Sequence, residues 1–299
     1  MARVGFIGLG KMGLPMAANL LEAGHTIKAF DVVDASTQAA AQRGMTAAAT
    51  AGEAATDVDV LFTMLPSGTN TLAVYQDTDA LQVAAAGTLF VDCSTIDVAS
   101  ARKAHELATN AGKLSLDAPV SGGVTGAVAG TLTFMAGGSG EAFGKAKPFL
   151  EIMGGRAVHC GDAGSGQAAK ICNNMLLGIS MIGVSEAFVL AEKLGLSKQA
   201  LFDVASTASG QCWSLTTYCP APGLVETAPS NNDYKAGFAA ALMLKDLKLS
   251  QDAAGSVAAA TPLGKHATAL YEQFNEAGHA DMDFSGIINF LRSKERDTS

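Results

Sequence analysis

The feature that most constrains the fold is a glycine-rich motif near the start of the chain. An apolar run from Arg3 is typical of a buried parallel strand, and it leads into Gly8-Leu9-Gly10-Lys11-Met12-Gly13, a G-x-G-x-x-G that opens a helical pattern. Gly8 permits a tight turn, Gly10 lets the backbone approach a pyrophosphate, and Gly13 lets the helix pack closely on the strand. The helix N-terminus would face the anion. These six residues therefore predict a dinucleotide site.

A second strand comes after this helix and ends in an acid. Asp31 lies about 20 residues beyond the motif, where its carboxylate can accept hydrogen bonds from an adenosine ribose. The glycine pattern alone would be weak evidence, and Asp31 could instead be a turn acid, but strand, glycines, helix, strand and acid together favour ribose contact. The carboxylate would repel the 2'-phosphate of NADP, and Val32 and Val33 supply no cation to accept one. We therefore predict NAD as the cofactor.

The remainder of the first half alternates strands with Ala-rich helical stretches. Strand-like runs cover residues 58–65, 88–92 and 114–118, and two final strands at 132–136 and 157–160 flank a helix at 141–153. This order predicts an α/β fold with a doubly wound parallel sheet. Residues 1–163 form the predicted NAD-binding domain, and residues 161–166 connect it to the second half of the chain.

Ligands in such sheets collect at the carboxyl ends of the strands, so the residues just after each strand are site candidates. They are Met64-Leu65-Pro66, Ser94-Thr95, and Asp117 to Gly123. Structure alone could account for Pro66 as a loop starter and for Thr95 as a helix cap. Ser121-Gly122-Gly123 can expose consecutive N–H groups to a carboxylate, although a plain turn is an equal alternative.

The longest helical pattern covers residues 165–194 and opens the second predicted domain, residues 164–299. From Met175 to Leu190 it is apolar on nearly every face, so we expect it to be buried all round, within the protein or against a second subunit. Ser180, Ser185 and Glu186 interrupt the run, which argues against a membrane span. Lys170 and Asn174 lie four residues apart on one face of its first turns. This pair could form a site, although a lysine in an early helical turn is usually solvated.

The sequence after Gly195 predicts further helices at residues 198–208, 239–254, 262–277 and 284–291, and hence an all-helical C-terminal domain. A loop at 212–234 carries the only tryptophan, Trp213, and long loops in compact domains are often functional. Lys245-Asp246 interrupts an apolar helical run. It is either a surface stripe or an inward-facing part of a site.

Charge and cysteine usage narrow the class of protein. The net charge of -8 and pI near 5.1 argue against nucleic acid and anionic membranes as partners. Five cysteines without a C-x-x-C pair suggest reduced thiols in a cytoplasmic setting, and five scattered histidines give no support for a metal site. Strand-like sequence from Arg3 onward leaves no room for a signal peptide in this sequence.

Four separated motifs resemble those of the β-hydroxyacid dehydrogenase family. The matching stretches are residues 4–19 (VGFIGLGKMGLPMAAN), 117–123 (DAPVSGG), 164–180 (GSGQAAKICNNMLLGIS) and 243–247 (MLKDL). Residues 209–214, 218–223 and 229–238 resemble the branch of this family that acts on 3-hydroxyisobutyrate. The resemblance implies a Rossmann domain followed by a helical domain, in homodimers or homotetramers whose helical domains pack together.

The resemblance also implies roles for individual residues. Lys170 is the expected general acid/base, Asn174 orients the substrate, and Ser121, Gly122 and Gly123 bind its carboxylate, with Trp213 beside it. Contacts to the cofactor are expected from Asn70, Thr95, Phe238 and Lys245, in addition to the glycine motif, Asp31 and Met64-Leu65-Pro66. Lys11 departs from the family, which commonly has asparagine there; a lysine could tighten cofactor binding or point to solvent.

The chemistry agrees with these roles. Oxidation of a small β-hydroxy acid with NAD requires a hydride acceptor, a base for the hydroxyl proton and a grip on the carboxylate. A desolvated lysine can have its pKa lowered toward neutrality and take that proton. No metal is needed. Other possibilities are a sister enzyme acting on tartronate semialdehyde, L-serine or 3-hydroxypropionate, an imine reductase, or a catalytically silent nucleotide-binding regulator.

Overall fold

The computed structural model describes residues 1–294, and the chain forms two compact units whose division falls between Lys170 and Ile171, inside the longest helix. The predicted boundary, between residues 163 and 164, precedes this helix. Residues 295–299 of the predicted second domain lie outside the described part.

The first unit is an α/β sheet domain. Within residues 1–294, nine strands form one sheet in the order β3-β2-β1-β4-β5-β6-β8-β7, with β9 paired to β8. The strands are β1 Arg3–Ile7, β2 Thr26–Phe30, β3 Thr46–Ala47, β4 Val60–Thr63, β5 Leu89–Asp92, β6 Leu114–Asp117, β7 Val120–Ser121, β8 Leu132–Gly138 and β9 Gly154–Gly161. The helices between them are α1 Gly13–Glu22, α2 Asp34–Gln42, α3 Ala51–Ala55, α4 Gly68–Gln76, α5 Ala80–Val83, α6 Val98–Asn110, α7 Gly123–Ala129 and α8 Gly140–Met153.

The predicted α/β fold with a doubly wound sheet is confirmed, because β1 to β6 pair in parallel and helices cover both faces. Successive side chains of a strand point to opposite faces of the sheet. Phe6 and Phe62 therefore belong to one apolar cluster, and their neighbours Ile7 and Leu61 belong to the other. The sheet is not wholly parallel, however. β8 runs antiparallel to β6 and β7, and the two-residue strand β7 was missed in the sequence. The chain between β6 and β8 forms β7 and α7, and β8 then returns antiparallel to both β7 and β6.

The second unit is helical, as predicted. Its elements are most of α9 Ser165–Lys193, then α10 Lys198–Ala205, α11 Trp213–Thr216, α12 Ala240–Ser256, α13 Pro262–Phe274 and α14 Ile287–Lys294. Met181 and Ile182 of α9 pack into a core with residues of α12 and α13, while Val184 and Phe188 join a second cluster that includes Leu215 of α11.

Helix α9 is not buried all round within one chain. Leu176 and Leu190 are 65% and 60% exposed, and Leu194, just after the helix ends, is 75% exposed, so an apolar stripe faces outward along this helix. In the described part of the chain, α9 is also the one helix long and apolar enough to cross a membrane by length and composition, and fewer than half of the residues in its most apolar window are buried. Its inner face nevertheless packs in the core of the helical unit. The expectation of burial therefore depends on a second subunit.

Candidate active site

The glycine motif forms the turn between β1 and α1, and each glycine serves a different purpose there. Gly8 has a φ of +94°, and a Cβ atom at this position would lie 2.2 Å from the Met64 carbonyl oxygen. A Cβ on Gly13 would lie 1.9 Å from the Gly8 carbonyl oxygen. By contrast, apart from Gly10 itself and its two chain neighbours, no atom of residues 1–294 lies within 4 Å of where a Cβ on Gly10 would sit. The space beside Gly10 is therefore open, which fits the close approach of a pyrophosphate.

Asp31 comes directly after β2 and connects two parts of this site. Its Oδ2 accepts a hydrogen bond from the N–H of Leu9 (2.6 Å), and its Oδ1 accepts one from the N–H of Val33 (2.8 Å). Each oxygen keeps a further lone pair for a ribose hydroxyl. The sequence suggested a choice between ribose ligand and turn acid, but the structure shows that Asp31 holds the glycine loop and also starts the next turn. Val32 and Val33 are exposed beside it.

Lys11 is exposed within the glycine loop. It lines an open groove of about 510 Å³ along α1, together with Gly10, Ser36 and Arg43. Met12 is half-buried at the same turn.

Strand β4 is shorter than predicted, because it ends at Thr63. Met64, Leu65 and Pro66 then form the turn into α4. Met64 and Leu65 are half-buried and Pro66 is exposed. Asn70 is exposed in the first turn of α4, where Ser67 accepts its N–H (3.3 Å) and donates to its Oδ1 (2.6 Å). This reciprocal pair resembles a capping box, so Asn70 has a structural role in addition to the predicted one.

The end of β5 carries a buried carboxylate that the sequence did not single out. Asp92 accepts hydrogen bonds from Thr63 Oγ1 (2.7 Å) and from the hydroxyl (2.6 Å) and N–H of Ser94. Burial is the main reason that the pKa of Asp92 rises to about 6. The Ser94 hydroxyl also accepts the N–H of Leu65 (2.7 Å), so Ser94 ties the loops after β4 and β5 together. Thr95 is half-buried and is not a helix cap, because Asp97 caps α6 by accepting the Ser100 N–H (2.7 Å).

The predicted carboxylate anchor lies at the end of β7. Gly122 has a φ of +133° and Gly123 a φ of +62°, conformations that favour glycine over other residues. Gly122 is exposed, and Ser121 and Gly123 are half-buried. The turn needs both glycines for its backbone path, and it leaves this segment accessible at the surface of the unit.

Asp117, by contrast, is 1% exposed, and its carboxylate serves the start of α9. Its Oδ1 accepts the N–H of Gly164 and its Oδ2 that of Gln167, both at 2.8 Å, and His105 Nε2 lies 3.1 Å from Oδ1. The side chain of Gln167, itself fully buried, donates to the Ser94 carbonyl oxygen (2.7 Å) and accepts the Ile96 N–H (3.1 Å). Asp117 is thus an internal partner of a helix start.

Lys170 lies one helical turn after Gln167 and is 6% exposed, with polar or electrostatic contacts of its own. The solvated alternative for this lysine is therefore wrong. A buried amine on a rigid helix is suited to proton transfer.

In the helical unit, Asn174 is 1% exposed and held on both sides. Its Nδ2 donates to Asp246 Oδ2, and its Oδ1 accepts from Asn173 Nδ2 (3.0 Å). Asp246 is buried, so it is the inward-facing member of the pair with Lys245, which is half-buried.

Trp213 and Phe238 belong to one row of aromatic rings. Trp213 stacks on Tyr218 (ring centroids 4.9 Å apart), Tyr218 stacks on Phe284 (5.4 Å), and Phe284 meets Phe238 edge-on (5.6 Å). Trp213 is half exposed at the end of this row.

Asp283 organises the row from inside, which the sequence did not suggest. It is fully buried, and its Oδ2 accepts the Tyr218 hydroxyl (2.9 Å) and the N–H groups of Gly237 and Phe238 (3.0 Å each). Burial and the charge of Asp283 raise the pKa of Tyr218 far above its usual range, so the phenol stays a donor.

Residues 1–294 contain no group of three or more His, Cys, Asp or Glu side chains placed to hold a metal ion, and the five cysteines are free thiols.

Two family models match the chain in succession. Residues 3–161 match the NAD-binding domain of 6-phosphogluconate dehydrogenase. Residues 164–291 match the model described as the NAD-binding part of NADP-dependent 3-hydroxyisobutyrate dehydrogenase.

Relatives match over nearly the whole chain. A protein of Mycobacterium tuberculosis described as a probable 3-hydroxyisobutyrate dehydrogenase is 52% identical over 98% of this chain and 99% of its own. An NAD-dependent L-serine dehydrogenase of Pseudomonas aeruginosa is 46% identical over 96% of this chain and 97% of its own. The solved structure of the M. tuberculosis 3-hydroxyisobutyrate dehydrogenase with L-serine superposes with a TM-score of 0.95 at 52% identity, covering 98% of this chain and 99% of that one.

Proposed function

Since the chain belongs to the 3-hydroxyisobutyrate dehydrogenase family of NAD-dependent β-hydroxyacid dehydrogenases, we propose that it oxidises 3-hydroxyisobutyrate to methylmalonate semialdehyde. This is a step of valine catabolism, which we place in the cytoplasm. The observation that carries the proposal is the buried Lys170 within a chain that matches such a dehydrogenase from end to end.

NAD, when bound, supplies the hydride acceptor. In the proposed site Gly8, Gly10 and Gly13 receive the pyrophosphate and Asp31 the adenosine ribose, which the open space beside Gly10 and the remaining lone pairs of Asp31 support. Further proposed cofactor contacts are Leu9, Lys11, Met12, Met64, Leu65, Pro66, Asn70, Thr95, Phe238 and Lys245.

Lys170 is the proposed general base. Its neutral amine would take the proton from the hydroxyl oxygen of the substrate while the carbon that bears this oxygen is oxidised, and the ammonium would return that proton in the reductive direction. Burial supports this role because it keeps the amine away from bulk water on a rigid helix. Asn174, whose amide orientation is fixed by Asp246 and Asn173, orients the substrate, and Ser121, Gly122 and Gly123 hold its carboxylate.

The methyl branch of 3-hydroxyisobutyrate suits an apolar surface, and the row that includes Trp213 and Phe238 offers one. L-serine is the second candidate, since a relative 46% identical to this chain is described as an L-serine dehydrogenase. Its ammonium could rest on the face of an indole ring.

Steady-state kinetics on 3-hydroxyisobutyrate, L-serine, glycerate and 3-hydroxypropionate, each with NAD and with NADP, test this proposal. We expect the highest kcat/KM for 3-hydroxyisobutyrate with NAD. A higher kcat/KM for L-serine would make L-serine the substrate instead, and equal efficiency with NADP would contradict the role of Asp31.

A second copy of this chain is the proposed partner of the apolar stripe on α9, giving a homodimer or homotetramer. Light scattering at micromolar concentration tests it, since a fully active monomer would contradict it.

A further inference from the structure

Gln167 bridges two parts of the proposed site. Its side-chain amide donates to the carbonyl oxygen of Ser94 (2.7 Å) and accepts the N–H of Ile96 (3.1 Å). These two backbone groups flank Thr95 on either side. One amide therefore fixes the peptide units before and after Thr95, and with them the direction in which the Thr95 side chain leaves the loop.

The backbone of Gln167 is fixed as well. Its N–H donates to Asp117 Oδ2 (2.8 Å), while the other oxygen of the same carboxylate accepts the Gly164 N–H (2.8 Å). Asp117 ends β6, so the first turn of α9 is attached to the sheet through this carboxylate. Lys170 comes three residues after Gln167, so the same helical turn that grips the Thr95 loop carries the amine.

We propose that Gln167 is a positioning residue that holds Thr95 and Lys170 in a fixed relation to each other. The inference rests on the proposed function, in which Thr95 contacts the nicotinamide half of NAD and Lys170 the substrate hydroxyl. Gln167 is fully buried and its amide is satisfied at both ends, so its own part in the reaction is to hold the other two side chains in register. Misplacement of a reacting group by about 1 Å can cost about 100-fold in rate, which makes such a bridge consequential.

The test is Gln167→Met, which keeps the length and helix propensity of the side chain and removes both hydrogen bonds. Lys113→Met is the matched control. Lys113 is also buried in the first unit and also donates to two backbone carbonyl oxygens, those of Ala84 and Ala85, but it lies before β6, at the opposite ends of the strands. We expect Gln167→Met to lower kcat about 10- to 100-fold with less than about threefold change in NAD affinity, and Lys113→Met to lower thermal stability alone.

A double-mutant cycle with Lys170→Ala separates positioning from general loss of structure. If Gln167 acts through Lys170, Gln167→Met should have less than about threefold further effect in the Lys170→Ala background. A loss of equal size in both backgrounds, a wild-type kcat in Gln167→Met, or an equal loss in Lys113→Met would each overturn the proposal. Should Gln167→Met fold poorly, Gln167→Asn keeps the amide on a shorter side chain that cannot reach both backbone groups, and we expect the same pattern from it.

Hydrogen exchange at the Ile96 amide tests the bridge without reference to activity. It should accelerate in Gln167→Met and stay unchanged in Lys170→Ala and Lys113→Met. Unchanged exchange in Gln167→Met would overturn the bridge whatever the enzyme does. If exchange accelerates in Gln167→Met but Lys170→Ala keeps full activity, the bridge stands and the proposed function is contradicted.

Discussion

Helices α1 and α9 both begin at glycine-rich turns of the nucleotide-binding unit, and their starts are opposites. Among residues 1–294, no side chain caps the start of α1, and the space beside Gly10 is open. At the start of α9 the N–H groups of Gly164 and Gln167 are already bound by Asp117. A helix N-terminus can serve an external anion only where no internal carboxylate has taken its N–H groups. The start of α1 is thus suited to hold the cofactor, and that of α9 to hold in place the side chains that we propose for catalysis.

The largest expected effect comes from Lys170, in the first turns of α9, whose loss should reduce the rate of the reaction and not the binding of NAD. Lys170→Ala should lower kcat by about 10²- to 10⁴-fold, the usual share of general acid/base catalysis, and leave NAD affinity nearly unchanged. Lys170→Arg should also fail, because a guanidinium keeps its charge and cannot accept a proton near neutral pH. Rate measurements and NAD titrations on both variants check this. An arginine variant with most of its activity would make Lys170 a substrate-binding cation.

The two starts also differ in how well the sequence predicts them. The motif from Gly8 to Gly13 and the acid at Asp31 could be predicted because a βαβ unit is local, and each glycine has one steric reason for its place. The bonds that Asp117 and Gln167 make join residues 47 to 73 positions apart, and no spacing rule connects them.

Two other differences have the same origin in long-range contacts. The antiparallel direction of β8 depends on its pairing with β6 and β7 in the finished sheet, which no local pattern specifies. The exposure of Leu176 on an apolar helix reflects surface that the single chain leaves uncovered. Binary patterning predicts that a face is buried, but not what covers it.

Asp92 lies beside Asp117, its register partner on the neighbouring strand, and the two buried carboxylates differ in what they bind. Asp117 accepts two backbone amides of a helix, whereas Asp92 accepts mostly hydroxyls, and burial raises its pKa from 3.8 to about 6. A raised pKa in the folded state means that the neutral acid is preferred there. The stability from this group is therefore present below pH 3.8 and lost as the pH rises through about 6.

Asp92→Asn removes that charge with little change in shape. The difference in free energy of unfolding between variant and wild type should be near zero at pH 4 and should grow in favour of the variant, by up to about 3 kcal/mol, above pH 6. Denaturant unfolding at several pH values measures it. A variant that is equally destabilised at every pH would mean that the ionised carboxylate is needed by its hydroxyl partners.

Gly10→Ala tests whether the start of α1, where the space beside Gly10 is open, receives the pyrophosphate. Gly10 needs no positive φ, and a Cβ atom would meet nothing in residues 1–294 within 4 Å beyond its chain neighbours, so the thermal stability of the protein without ligand should be unchanged. The same Cβ would occupy the approach of the pyrophosphate, so NAD affinity should fall by about 10- to 100-fold. Gly13→Ala is the control: its Cβ would strike the Gly8 carbonyl oxygen, so it should destabilise the folded protein itself. Unchanged NAD affinity in Gly10→Ala would mean that α1 does not face the pyrophosphate.

The smallest effect is expected from Lys11→Asn, which introduces the residue that the family resemblance leads us to expect in this loop. Lys11 is exposed, and an exposed charge in water contributes about 0–1 kcal/mol to an ion pair, so NAD affinity should change by less than about fivefold at physiological salt. The open groove that Lys11 shares with Arg43 leaves its ammonium free to stay hydrated. NAD titrations at low and high salt decide the matter, because a Lys11 that pairs with the pyrophosphate would make the wild type lose affinity with salt more steeply than the variant. In that case the backbone N–H groups at the start of α1 would share the anion with a side chain, and part of the NAD affinity would come from the charge of Lys11.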